Sequence, residues 1–238
     1  MISIIIPTYN EKQNIIALLN EIKKRLVGKN FEIIIVDDNS PDQTAQAIKT
    51  KFKKDKKIKV FVRKNERGLG TAILYGIKKS KGEIIIGMDA DFNHPPQIIP
   101  NLIKNTKDAD LVVTSRFIND GGMADRKRYF FTFLFNLFLK YFLGFPVFDN
   151  TSGFYAIKKS KLYQLPLEEI YRGYGDYHLR LVWYARKLGL KIKEIPVFYP
   201  KRKYGNSKSN LIKMFFQYFI VAFKLRFFQN KKSNFCRI

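Results

Sequence analysis

The chain has 238 residues, of which 44 are Lys or Arg and 20 are Asp or Glu, for a formal charge of +24. That length can bury a substantial core as one α/β domain with an appendage, and the charge suits polyanions: nucleic acid, anionic lipid headgroups or phosphorylated substrates. The single cysteine, Cys236, excludes an intramolecular disulfide framework and a cysteine metal cluster.

The N-terminal half alternates apolar runs with helical patterns. Ile2 to Ile6 has no basic leader before it, so a secretory signal is not expected, and the run reads as a strand ending at Pro7. Thr8-Tyr9-Asn10-Glu11 makes a loop, and Asn14 through Leu26 places Ile15, Leu18, Leu19, Ile22 and Leu26 at helical spacing. Phe31 to Val36 reads as a second buried strand, closed by the polar cluster Asp37 to Asp42. A helix from about Thr44 to Phe52, a strand from Ile58 to Arg63 and a helix from Thr71 to Lys79, opened by Gly68-Leu69-Gly70, lead to an apolar run at Ile84 to Ile86. The alternation predicts an α/β fold: a mainly parallel sheet covered by helices on both faces, with the near-continuous Ile and Val that double-sided burial requires.

The fourth strand runs into Gly87-Met88-Asp89-Ala90-Asp91-Phe92-Asn93-His94-Pro95-Pro96. Chain leaving the carboxyl end of such a strand lies beside the crevice in which these sheets bind ligands. Asp89 and Asp91 offer two hard oxygen donors there, suited to a divalent cation that keeps several waters and also holds phosphates. The same pair would serve as turn residues facing water. Repetition favours a site: Pro7 to Glu11, Asp37 to Asp42 and Asp89 to His94 follow the first, second and fourth strands and should converge as walls of one pocket. No glycine fingerprint follows the first strand, so a dinucleotide is not expected. Gly68 and Gly70 satisfy a turn or let a helix N-terminus approach an anion.

In the second half, Ile98 to Ile103 reads as a helix and Asp110 to Thr114 as a strand, after which Arg116 is placed to meet phosphate oxygens. Arg126 to Gly144 is unusual. As a helix it stacks Arg128, Thr132, Asn136 and Lys140 on one narrow face and surrounds them with Phe, Leu and Tyr. That apolar wrap is too wide for an ordinary surface helix, yet too short and too polar on one face to span a bilayer, which takes about 20 apolar residues. It is either buried within the protein or dips into a membrane interface with its polar face toward the site. Asp149 to Phe154 precedes an apolar stretch ending at Ile157, Leu179 to Leu188 reads as a helix, and Lys191 to Phe198 as an edge-like strand holding Pro196. No acidic residue follows Glu194, and Met214 to Phe223, apolar apart from Gln217, lies between Lys213 and Lys224. Such a segment fits a peripheral helix on an anionic surface, and equally burial against the domain or a membrane-protein subunit. No transmembrane span is expected.

Taken together, Pro7-Thr8-Tyr9-Asn10-Glu11, Val36-Asp37-Asp38-Asn39-Ser40 with Asp42 and Thr44, Arg67-Gly68-Leu69-Gly70, Asp89-Ala90-Asp91 with His94-Pro95-Pro96, Ser115-Arg116, Asp149 with Thr151-Ser152-Gly153-Phe154, and Arg202 with Gly205, Ser207 and Lys208 carry a resemblance. In their order and spacing the chain resembles the inverting family-two glycosyltransferases, and within them the polyprenol-phosphate and dolichyl-phosphate sugar transferases. The resemblance implies a GT-A, Rossmann-like nucleotide-diphospho-sugar transferase domain over residues 1–208, with an interfacial helix at about 126–143, and a basic, aromatic tail over 209–238. It implies that Pro7, Tyr9, Glu11, Asp38 and Gly70, with Asp89, Ala90 and Asp91, bind a nucleotide-sugar such as GDP-mannose or a UDP-sugar. By the same resemblance Asp89 and Asp91 hold Mg2+ or Mn2+ on its diphosphate. Arg116, Arg128, Asn136, Ser152, Arg202 and Lys208 would receive the phosphate of a polyprenyl phosphate acceptor, or the four basic residues among them would clamp the leaving diphosphate. The implied enzyme is a hexosyltransferase, peripheral on the cytoplasmic face of a membrane with an anionic surface, with room for a small integral membrane subunit.

One stretch departs from that pattern. After Gly173-Tyr174 the lipid-phosphate branch has Phe-Gln-x-Glu, whereas this chain has Gly175-Asp176-Tyr177-His178-Leu179. Either Asp176 replaces the missing glutamate from a shifted loop, or the acceptor is a saccharide hydroxyl, for which Asp176 or His178 would be the base. Both residues would otherwise simply cap the following helix. A basic nucleic-acid-binding protein is the competing non-enzyme reading of the charge; it needs neither Asp89 nor Asp91, and no nucleic acid is expected as partner.

Overall fold

The computed structural model describes residues 1–201 and 211–228, and the side chains of all of these but 211–213. Arg202, Gly205, Ser207 and Lys208, and the domain boundary expected at 208, lie outside the described residues.

The first half follows the expected alternation: β1 (Ile2–Thr8), α1 (Lys12–Arg25), β2 (Phe31–Asp37), α2 (Thr44–Lys51), β3 (Ile58–Val62), α3 (Leu69–Lys79) and β4 (Ile84–Gly87). Every residue of β1 and β2 is buried, as their unbroken apolar sequence requires. The second half adds α4 (Ile99–Asn105), β5 (Leu111–Ser115), β6 (Gly122–Met123), α5 (Arg126–Tyr141), β7 (Tyr155–Lys158), α6 (Lys159–Leu162), α7 (Leu167–Ile170), α8 (Tyr177–Lys187), β8 (Ile192–Pro196), β9 (Phe198–Tyr199) and α9 (Leu211–Phe227).

Seven strands form one sheet in the order β3-β2-β1-β4-β7-β5-β8, and β6 pairs with β9 apart from it. All pairings in the main sheet are parallel except those of β7, which runs antiparallel to both β4 and β5. Pro196 ends the edge strand β8, where its missing N–H costs no ladder bond.

Alternate β1 side chains feed two cores. Ile4 and Ile6 pack with α1, α2 and α4 on one face. Ile5 joins α3, α5 and α8 on the other, together with Tyr218, Ala222 and Leu225 of α9. Of the two placements expected for this segment, peripheral or buried against the domain, α9 packs into the domain along one side.

Two features of this topology place the ligand edge. The chain leaves β1 toward β2 on one side and returns through α3 to β4 on the other, so a crevice opens at the carboxyl ends of β1 and β4. Because β7 is reversed, the residues that lead into it, 149–154, arrive at the same edge as those that leave β4 and β5.

Candidate active site

A cavity of about 400 Å³ opens at that edge and is lined from all three expected polar clusters, by Pro7, Tyr9, Glu11, Asp38, Asp89 and Asp91 among others. On its β1–β2 side, Asp38 is fixed rather than merely present. The buried Arg63 donates Nε to Asp38 Oδ1 at 2.7 Å, the Gly68 amide donates to Oδ2 at 2.8 Å, and Arg63 Nη2 reaches the Gly68 carbonyl at 3.0 Å. The neighbouring Asp37 turns inward and braces the loop by accepting from Thr8 Oγ1 and from the amide and hydroxyl of Ser40. Glu11 is oriented by Asn14, whose amide donates to it at 2.8 Å, and the Arg67 guanidinium lies 3.7 Å from the Tyr9 ring centroid.

On the β4 side, Asp91 is 3% exposed and accepts from the Asn93 amide at 3.1 Å and side chain at 3.0 Å, while the Asp89 side chain remains 40% exposed. His94 ties this loop to the one before β7. Its Nδ1 accepts from the Asp89 amide at 2.8 Å and its Nε2 lies 3.0 Å from the Ser152 carbonyl, which can only accept. The geometry assigns the neutral Nε2–H tautomer. The ring also stacks on Phe154 at 4.9 Å.

The opposite wall is cationic and phenolic. Arg116 follows β5 and is 3% exposed. It donates Nε and Nη2 to the two oxygens of buried Asp149 at 2.7 and 2.8 Å, and Nη2 also reaches Thr151 Oγ1. Nη1 is left without a hydrogen-bond partner among the described residues. Burial disfavours charge on Asp149, but the Arg116 guanidinium overrides it and holds the carboxyl below its usual range; reciprocally the arginine is held above its own. Glu194 of β8 accepts the amides of Phe148 and Asp149, and burial raises its pKa despite them. Ser152 bonds to Thr114 at 2.6 Å and to the Tyr199 hydroxyl at 2.7 Å. Arg128, Ser152, Tyr174, Tyr177, Tyr199 and Tyr218 complete this wall.

Of the expected site residues, Pro7, Tyr9, Glu11, Asp38, Asp89, Ala90, Asp91, Arg116, Arg128 and Ser152 line the cavity. Three others stand behind it. Gly70 packs against the chain entering the 172–176 loop, where a Cβ would come within 2.9 Å of the Tyr171 backbone. Asn136 is 1% exposed and braces the turn before β7, donating to Thr151 Oγ1 at 3.0 Å and accepting from the Asn150 amide at 2.7 Å. Asp176 is 1% exposed; it pairs with Arg180 and accepts from the Tyr174 amide and Gln217. It stands at the N-cap, one residue before α8, without capping the helix through its side chain. His178 is fully buried, with neither ring nitrogen bonded among the described residues.

Arg63, His94, Asp149, Tyr177, Tyr199 and Tyr218 are structural or lining members for which sequence reasoning assigned no role. His94 and Asp149 lay in quoted motifs and Tyr177 in the departing stretch, and only chain folding reveals the partners of the others.

The four polar residues of the α5 stripe share one face, as their spacing predicts, and that face turns inward. Thr132 bonds the Arg128 carbonyl, Asn136 bonds the Thr132 carbonyl, and Lys140 Nζ lies 3.9 Å from the Phe148 ring centroid. Phe130, Phe131, Leu134, Tyr141 and Phe142 stay exposed. No helix among the described residues is long and apolar enough to cross a membrane.

Residues 3–165 match the family model described as glycosyl transferase family 2. The dolichol-phosphate mannosyltransferase of Pyrococcus furiosus is 34% identical over 215 residues, which cover 87% of this chain and 58% of that protein, so the chain spans little more than half of this relative's length. The undecaprenyl-phosphate mannosyltransferase of Micrococcus luteus is 30% identical over 210 residues, 86% of this chain and 85% of that one. The polyprenol monophosphomannose synthase of Mycolicibacterium smegmatis is 28% identical over 214 residues, with 86% and 79% covered. Among solved structures, glucosyl-3-phosphoglycerate synthase of Mycobacterium tuberculosis with Mn2+, UDP and glucosyl-3-phosphoglycerate superposes with a TM-score of 0.72 at 20% identity, over 95% of this chain and 79% of that one. That likeness establishes the GT-A fold.

Proposed function

The chain belongs to glycosyl transferase family 2, and from that premise we propose that it transfers a hexose, mannose first among candidates, from a nucleotide-sugar to a polyprenyl phosphate with inversion. The relatives named above support the acceptor class. The observation that carries it is the state of the acidic groups on the acceptor side: Asp149 and Asp176 are both buried in arginine pairs. A saccharide hydroxyl would need a base there, whereas a phosphate monoester is already ionised near neutral pH and needs none. The departure at Gly175 to Leu179 therefore does not favour the hydroxyl reading.

In this reading Pro7, Tyr9, Glu11 and Asp38 hold the base and ribose. Asp89 and Asp91 would hold Mg2+ or Mn2+: two carboxylates lining the cavity suit a cation that completes its shell with water and donor phosphates. When bound, the metal supplies positive charge against the departing diphosphate. His94 sets the backbone from which Asp89 projects. Arg116, through Nη1, and Arg128 offset the repulsion between two anions, and the acceptor oxygen attacks the anomeric carbon from the face opposite the leaving group. Exposed aromatic faces on α5 and α9 support contact with a membrane surface. In the proposed function the enzyme works on the cytoplasmic face of an anionic membrane, with or without a small integral subunit.

The test is transfer of radiolabelled sugar from a panel of nucleotide-sugars to polyprenyl phosphate in vesicles, with and without Mg2+ or Mn2+. Metal-dependent product that extracts into organic solvent is expected from wild type, with a loss of at least about a hundredfold in Asp91→Ala. Donor binding without any glycosylated prenyl phosphate would overturn the acceptor assignment and leave the family intact.

A further inference from the structure

The C-terminal helix α9 has two unlike sides. One is built into the protein: Met214 and Tyr218 line the cavity, and Ala222 and Leu225 are buried in the core. The other presents Phe216, Ile220, Phe223 and Phe227, exposed by 59, 50, 42 and 53%. Lys224 and Arg226 lie in its last turn. Phe215 and Phe219 meet Phe135 and Phe138 of α5 at 4.8 and 5.7 Å between ring centroids, so exposed rings of α9 abut one buried and one partly buried ring of α5.

The inner side touches one place that decides the shape of the acceptor wall. The Tyr218 ring sits directly over Gly175, and a Cβ at that position would overlap its hydroxyl. One residue further, Gln217 donates to Asp176 Oδ1 at 3.2 Å. The 173–176 loop is also held by the Gly70 amide on the Gly173 carbonyl, at 3.3 Å, by the His178 and Arg180 amides on the Gly175 and Asp176 carbonyls, and by the Asp176–Arg180 pair. The unusual Gly175-Asp176 pair is thus the socket of a helix-borne tyrosine. Tyr218 is buried, and burial raises its pKa.

We propose that α9 is a membrane-responsive wall of the active site: Tyr218, seated on Gly175, completes the acceptor side, and an anionic bilayer against the outer aromatic face of α9 holds it there. The occupant follows from complementarity. An aromatic face flanked by Lys224 and Arg226, on a chain of charge +24, matches a negatively charged lipid surface. The consequence for the reaction rests on the acceptor reading above: Tyr218 and its seat are specificity-determining for the prenyl phosphate and not for the nucleotide-sugar.

The full chain is studied in two arms. In the first, hydrogen exchange at residues 173–178 is followed with and without phosphatidylglycerol vesicles. Vesicles are expected to slow exchange there in wild type and much less in Gly175→Ala, whose new methyl group unseats Tyr218. Adding Tyr218→Phe to Gly175→Ala removes the overlapping hydroxyl and should restore the response. In the second arm, Gly175→Ala is expected to raise KM for prenyl phosphate about tenfold while KM for the nucleotide-sugar holds, with most of that loss recovered in the double variant. Protection confined to α9 itself, or equal loss toward both substrates, would overturn the proposal. A wild type that glycosylates no prenyl phosphate would sink the acceptor reading instead, and the exchange arm would still decide the coupling.

Discussion

Asp149 has no contact with solvent and, among the described residues, pairs with one cation, the Arg116 guanidinium. Removing one partner of such a pair strands the other in a low-dielectric interior. Asp149→Ala should therefore destabilise the fold by about 3–5 kcal/mol in urea denaturation, more than Ser152→Ala. His178 supplies a second expectation. Burial, opposed by the charge of Asp149, pushes its pKa from 6.5 to about 4. Between these values the unfolded chain binds a proton that the folded chain refuses, so stability is complete above about pH 6.5 and falls as pH drops toward 4, by about 3 kcal/mol. His178→Phe should flatten that limb of a pH series of denaturation midpoints, and an unchanged limb would show that the ring is hydrated. At this scale the sequence was legible by position: Arg116 follows a strand and does line the site. Its partner, 33 residues away, was not, because nothing local marks which carboxylate a buried arginine will meet.

At the scale of elements, periodicity located nearly every helix and strand of the first half, because double-sided burial leaves unbroken apolar runs. It did not disclose that β7 is reversed, since a four-residue apolar strand reads the same in either direction. Nor did it show that α9 enters the cavity. The polar stripe of α5 was legible, four residues at a constant spacing being a helix face whatever covers it. What lies opposite can be tested directly. Phe131 and Phe142 are 70 and 77% exposed, so serine at both should leave folded stability within about 0.5 kcal/mol per site. The same change should weaken sedimentation with anionic vesicles by roughly tenfold or more, each phenylalanine bringing about 1.5–3 kcal/mol of apolar burial. Undiminished binding would mean that these side chains face something other than lipid.

The whole molecule is a strong polycation, and its binding to phosphatidylglycerol vesicles should fall steeply between low salt and 1 M NaCl, where screening shortens to about 3 Å. Residual binding at high salt measures the aromatic contribution of α5 and α9. Sedimentation with neutral vesicles separates the two. The reversed strand also sets the order in which the molecule can assemble. β1 to β4 pair with one another and need nothing beyond Gly87, whereas β5 has no neighbour until β7 arrives at Tyr155. During synthesis a paired β1–β4 unit therefore coexists with an unpaired strand, and the aromatic helix α5 emerges in that interval with neither β7 nor α9 to receive its buried side. The nascent chain is most in need of a chaperone, or of a lipid surface, at that point.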